Sequence, residues 1–282
     1  MIRWDWYQGT PREDVSPMII FDRIASEIDD AHRIHTRRHG QNGYAYSAHL
    51  VDKDDYLLAV MNYEGNRGAK PNLRGTGPSA PAFANALRKC YPRHNVTRAD
   101  ACSDLLGADF SAIRDKSMVL ARQARTSGLR HVPDDPERGE TYTIGAKSSA
   151  SQTRIYRKDL ELIRKGVSAD EFPQPIVRIE QQINPKGENL RLYFSHAEPA
   201  EIFGASRIGR AMAATFLNNN PAAISMTRRP PTSFDIRSGW LAKQAGGILG
   251  EIRQRFATPE EICRYIYVTL LDQPEFDSTV IK

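Results

Sequence analysis

Four short stretches of this chain gather the residue types that transesterification of a phosphodiester demands. VTRADACSD, read as a strand, puts Asp100, Cys102 and Asp104 on one face at period two. TYTIGAKSS supplies a turn in which Gly145, Lys147, Ser148 and Ser149 offer a basic, hydroxyl-rich surface to a phosphate. RIYRK carries Arg154, Tyr156 and Lys158 on one face if the strand continues through it, and VRIE does the same for Arg178 and Glu180. In such chemistry a tyrosine oxygen attacks phosphorus, becomes linked to the 5′ phosphate and frees a 3′ hydroxyl. A phenol ionises near pH ~10, so flanking cations are needed to favour the phenolate. Tyr156 is therefore the expected nucleophile, with Arg154 and Lys158 handling charge and Tyr142 in reserve. Asp100, Asp104 and Glu180 are expected to hold Mg²⁺ or Mn²⁺, hard ions that prefer oxygen ligands and polarise a phosphate. Lys147, Ser148, Arg157 and Arg178 are the expected DNA and phosphate contacts. The plain alternative is a solvated Arg-x-Tyr-x-Lys strand face, with Asp100 and Glu180 paired to Arg98 and Arg178. Spacing does not decide between them.

The elements that must position these residues are legible in outline. IRWDWYQG alternates and predicts a strand; Met18–Ile34 has apolar residues at helical spacing and predicts an amphipathic helix. HTRRHGQNG predicts a basic loop, and His32, His35 and His39, at the helix end among Arg33, Arg37 and Arg38, are expected to face solvent or phosphate rather than a metal. YAYSAHLV and YLLAVMNY, separated by DKDD, predict a hairpin. Asn72–Gly77 predicts a strand, Ser79–Cys90 a helix capped by Ser79, Val96–Asp104 a strand and Phe110–Arg125 a helix. After a polar loop, VPDDPERGE, come paired strands at Thr141–Gly145 and Thr153–Tyr156, a basic helix start, a strand at Ile176–Ile183 and helix through Leu190–Gly204. Asn218–Thr232 is a break rich in Asn and Pro. Beyond it, helices are expected over Ser238–Arg255 and from Pro259 onward, with Glu260 and Glu261 in the first turn of the second. The expected fold is α+β, an antiparallel-rich central sheet with flanking helices over residues 1–217 and a helical subdomain over 218–282.

Composition excludes several classes. The chain has 282 residues, 40% of them hydrophobic, and a net charge of +5, which favours nucleic acid without requiring it. No apolar run is long enough to cross a bilayer, and the first residues lack a secretory pattern, so a cytoplasmic location is expected. Cys90, Cys102 and Cys263 are odd in number and widely spaced, against a disulfide framework or a zinc ribbon. RRPP and GEIRQRF are basic but balanced by nearby acids, so phosphate contact and a solvated face are equally expected; Trp240, Leu241 and AGGILG are expected to pack.

TYTIGAKSSASQTRIYRKDLE followed by PIVRIEQQI resembles the replication initiation factor family, which includes rolling-circle initiators of plasmids and phages and some relaxases. The matching residues are Tyr142, Gly145, Ser148, Arg154, Tyr156, Lys158, Glu161, Arg178 and Glu180, with Thr97, Arg98 and Asp100 upstream. Arg157 departs from the pattern, which usually has an acid there, and is expected to make the pocket more basic. The resemblance implies a Rep- and relaxase-like nuclease fold and metal-dependent, origin-specific nicking and rejoining of one DNA strand in a bacterial host. It implies single- and double-stranded origin DNA and a host helicase as partners, with a homodimer left open. A conjugative relaxase with the same chemistry and a non-catalytic replicon regulator are the alternatives. Phage, plasmid and integrative element are not distinguished.

Overall fold

The computed structural model describes residues 1–126, 128–135, 139–226 and 233–270, in two compact units, Met1–Arg228 and Arg229–Lys282. In chain order the first unit contains β1 (Arg3–Thr10), α1 (Pro17–Ala25), β2 (Arg33–Arg37), β3 (Tyr44–Val51), β4 (Leu57–Gly65) and β5 (Asn72–Thr76). There follow α2 (Ala80–Cys90), β6 (Asn95–Leu106), α3 (Phe110–Gln123), β7 (Leu129–Asp135), β8 (Gly139–Ile144) and β9 (Ser151–Arg157). The unit continues with α4 (Lys158–Arg164), β10 (Ile176–Ile183), α5 (Glu188–Tyr193) and α6 (Arg207–Phe216). The second unit holds α7 (Ser233–Arg255) and α8 (Pro259–Tyr265), the latter opened by a reciprocal capping box between Thr258 and Glu261.

The strands make one antiparallel sheet in the order β2-β3-β4-β5-β1-β6-β10-β9-β8-β7. The fold is α+β, as the alternating runs require. Side chains alternate across each strand, so each contributes to both faces. One face joins Ala99 and Ala101 of β6, Ile179 and Ile183 of β10 and Ile155 of β9 to a continuous apolar core. Phe21 and Ile24 of α1, Phe83 and Leu87 of α2, Ile113 of α3 and Met212 of α6 close that core. The other face of β6, β10 and β9 carries the charged residues.

Several boundaries differ from the sequence expectations. The helix over Met18–Ile34 stops at Ala25, and Arg33–Arg37 is an edge strand instead of a basic loop, with Ile34 opposite Leu50. Aspartates at 29 and 30 are poor helix formers, while Ile34 and Thr36 are β-branched and gain a ladder by pairing with β3. Ser79 does not cap α2: its hydroxyl donates to the Leu57 carbonyl, 3.1 Å away, and so ties the helix start to β4. Part of the VPDDPERGE loop is strand β7. The helix expected through Gly204 breaks after α5 and resumes as a 3₁₀ segment, Pro199–Ala205, opened by Pro199 and a capping box between Glu198 and Glu201. Helix α6 was not expected; its start is marked by Ser206, whose hydroxyl accepts from the Gly209 amide at 2.8 Å. RRPP lies outside the described residues, and so do the side chains of Trp240 and Leu241.

Candidate active site

Register brings the chemistry-bearing residues together. Across β6, β10 and β9, Asp104 stands opposite Arg178, which stands opposite Tyr156; Cys102 stands opposite Glu180, which stands opposite Arg154. Asp100 sits beside Trp6 of β1, and a register shift between Trp4 and Trp6 lets Asp5 and Trp6 both reach this face. The result is a cavity of about 880 Å³ lined by Asp5, Trp6, Arg98, Asp100, Asp104, Arg154, Tyr156, Arg178 and Glu180. Lys158, Glu161 and Lys165 at α4 complete one wall, and Tyr56, Gly77 and Pro78 another.

The polar atoms form two linked sets. In the first, Arg98 forks onto Asp100 at 3.0 and 2.6 Å, and Arg154 donates to Asp100 at 3.0 Å and also to Glu180. Tyr156 donates its hydroxyl to the second oxygen of Glu180 at 3.1 Å. In the second set Arg178 forks onto Asp104 at 2.6 and 2.8 Å and donates to Asp5 at 2.6 Å, while Arg3 adds a bond to Asp104 at 2.5 Å. Bidentate guanidinium–carboxylate pairs of this kind are geometrically specific as well as strong.

Burial dominates the protonation equilibria. It raises the Asp100 carboxyl to about 7, aided by the neighbouring Glu180 and opposed by Arg98 and Arg154. Burial and Glu180 also raise Asp5. Asp104 goes the other way: burial acts upward, but Arg178 and Arg3 outweigh it and hold the carboxyl below its ordinary value. Burial, then the negative charge of Glu180, push Tyr156 well above the usual phenol range despite Arg178. This corrects the expectation that flanking cations favour a resident phenolate.

The other named residues divide sharply. Lys158 is not on the Tyr156 strand face, because the strand ends at Arg157 and Lys158 opens α4. It still lines the cavity, its ammonium 3.0 Å from Glu161. Tyr142 is opposite Ile155, on the core face, and lies away from the cavity among apolar residues. Arg157 alternates away from Tyr156 and forks onto Asp159 at 2.9 and 2.5 Å, so it does not make the cavity more basic. Lys147 and Ser148 are exposed in the β8–β9 turn, at the far end of β9 from Tyr156, and do not line the cavity.

Asp5, Arg3 and Trp6 were missed by sequence reasoning, although a lone acid inside the aromatic strand RWDWYQG was a usable signal. The carboxylates do not fit a divalent ion in this arrangement. Arg154 occupies the position between Asp100 and Glu180 that a shared cation would take, and Asp104 is committed to Arg178 and Arg3. No group of three or more His, Cys, Asp or Glu disposed to hold a metal is found among the described residues. No described helix is long and apolar enough to cross a membrane.

No protein-family model matches the chain, and no curated protein matches it in sequence. Among solved structures it is similar to a rolling circle replication initiator protein from Geobacillus stearothermophilus. The identity is 18% over 84% of this chain and 91% of that one, with a TM-score of 0.48. At that level the likeness decides neither the family nor the activity of this chain.

Proposed function

We propose that this protein is a site-specific DNA nickase of the replication-initiator kind, cutting and rejoining one strand through Tyr156. The observation that carries the reading is the 3.1 Å bond from the Tyr156 hydroxyl to Glu180 inside a guanidinium-rich cavity. A buried phenol with a raised pKa needs a base during the reaction, and a carboxylate within hydrogen-bond reach supplies one. As the Tyr156 oxygen bonds to phosphorus, its proton passes to Glu180. The bond from phosphorus to the 3′ oxygen breaks, and that oxygen leaves with the electron pair and takes a proton from solvent. The 5′ phosphate stays on the tyrosine until a 3′ hydroxyl reverses the step, so nicking and rejoining share one intermediate.

Arg154 and Arg178 supply the positive charge that develops a use in the transition state. Arg154 has a buried Nε–H with no hydrogen-bond partner among the described residues, a donor that an entering phosphate oxygen would satisfy. The net charge of +5 favours the polyanionic substrate. Origin DNA is the proposed substrate, and a host helicase the proposed partner, because a nick alone does not unwind a duplex.

The test is incubation with supercoiled DNA carrying the replicon's origin, with and without Mn²⁺, followed by protease and denaturing electrophoresis. Relaxed circles and a protease-sensitive protein–DNA adduct are expected from the wild type and neither from Tyr156→Phe. An adduct that survives Tyr156→Phe overturns the assignment of the nucleophile. Absence of nicking by the wild type under both conditions overturns the enzymatic reading.

A further inference from the structure

On the polar sheet face, next to the Tyr156 cavity, three side chains from three adjacent strands form one layer. The Arg98 guanidinium carbon lies 4.2 Å from the centroid of the Trp6 indole, and that of Arg74 lies 5.5 Å from it. Every member is held in place. Trp6 donates its ring N–H to Gln8 at 3.0 Å, Arg98 forks onto Asp100, and Arg74 donates to Gln41 at 2.8 Å. Trp6 is only partly buried, and with Arg98 it lines the cavity that contains Tyr156.

Charge at this layer is unbalanced. Asp100 already answers Arg98, whereas Arg74 has no carboxylate partner among the described residues. Burial, then the like charge of Arg98, hold the Arg74 guanidinium below its ordinary value. Two guanidiniums against one indole with a single counter-charge leave room for one more anion. Aromatic and guanidinium planes also accept nucleobases by stacking, with little regard to which base is offered.

We propose that Trp6, Arg98 and Arg74 form a nucleotide subsite for the single strand beside the scissile phosphodiester, the base continuing the indole–guanidinium layer and Arg74 meeting a phosphate. The subsite rests on the DNA-nicking reading for its role, and Asp100 links it to the reacting groups by bridging Arg98 and Arg154.

The test compares fluorescence-anisotropy titrations of a labelled oligothymidylate of roughly 20 nucleotides with an abasic strand of equal length. The wild type is expected to prefer the strand with bases by about fivefold or more, the scale of one lost stacking contact. Trp6→Ala should bring that preference to within about twofold, Trp6→Phe should keep most of it, and Arg74→Ala should weaken both strands alike. Photocrosslinking of the wild type to the same strand bearing 5-bromouracil should mark the peptide that contains Trp6. The proposal is overturned if Trp6→Ala keeps the preference, if the wild type shows none, or if crosslinks map only to peptides without Trp6. None of these readouts needs a covalent adduct, so a failed nicking assay leaves them decisive.

Discussion

Tyr142 and Tyr156 lie on neighbouring strands, one residue out of register, and the sheet separates their rings. Tyr156 stands opposite Thr141 and faces the polar cavity, whereas Tyr142 stands opposite Ile155 and faces the core. Exposure does not distinguish them, at 2% and 3%. Partners do. The Tyr156 hydroxyl donates to Glu180, while the Tyr142 hydroxyl is buried with no hydrogen-bond partner among the described residues. A one-residue change of parity thus separates a phenol bonded to a carboxylate in the cavity from one on the core face of the sheet.

The largest expected effect breaks that comparison directly. Tyr156→Phe should lower adduct formation by about a thousandfold or more, because it removes the proposed nucleophile. Tyr142→Phe should leave nicking intact and stabilise the fold by roughly 1 kcal/mol, since it removes a buried hydroxyl without a hydrogen-bond partner among the described residues. Gel quantification and urea unfolding read the two outcomes. Loss of nicking in Tyr142→Phe with Tyr156→Phe active would reverse the assignment.

The two faces of β10 offer the next comparison. Arg178→Ala should cost about 3–5 kcal/mol of stability, because Asp104 and Asp5 lose their principal cation. Ile179→Ala, one residue on and facing the core, should cost about 2–5 kcal/mol through the cavity it leaves. The discriminating variable is salt. Destabilisation by Arg178→Ala should change with ionic strength more than that by Ile179→Ala. Equal salt dependence in denaturant titrations would mean that the Arg178 set is held mainly by packing.

How much of this was legible beforehand follows from the same periodicity. The shared faces of Asp100 with Asp104, Arg154 with Tyr156 and Arg178 with Glu180 followed from period two, and they are the faces found. The strand order was not legible, because nothing local says that β1 inserts between β5 and β6. Asp5 therefore stayed hidden: it enters the site only through that pairing and the register shift beside it. Lys158 was misplaced because period two was carried one residue past the strand end into α4. Nor did spacing reveal that guanidiniums would take up the carboxylates, since a ligand set and an ion-pair set use the same acids.

Arg154 is where those two uses part. In the wild type its guanidinium lies between Asp100 and Glu180, and Asp5 is nearby, its pKa raised in part by Glu180. Arg154→Ala should remove that cation and leave the Asp100 and Glu180 carboxylates facing one space. Mn²⁺ should then raise the melting temperature of the variant, by the equivalent of about 2–3 kcal/mol at a hundredfold excess over Kd, and that of the wild type much less. An equal rise in both proteins would show that the wild-type acids already accept the ion beside Arg154.

The smallest effect concerns the proton on Asp100. Its carboxyl is raised from 3.8 to about 7, so the folded state binds this proton more tightly than the unfolded chain. The stability it contributes is complete below about pH 4 and is lost as pH rises through about 7. His94 acts oppositely in part of the same window: burial lowers it from 6.5 to about 4, so stability rises as pH climbs between those values. The wild-type profile alone therefore mixes two signs. Asp100→Asn removes one and leaves the other, so the difference between the variant and the wild type isolates Asp100. That difference should shift in favour of the variant by on the order of 1–2 kcal/mol between pH 5 and 7, less than the full shift would give, because Glu180 is coupled to the same equilibrium. Urea unfolding of both proteins across that range measures it. A flat difference would mean that Asp100 is ionised throughout and that Arg98 and Arg154 compensate it fully. A rising one would mean that the cavity stores a proton at neutral pH, one bond away from the guanidinium that also holds Glu180.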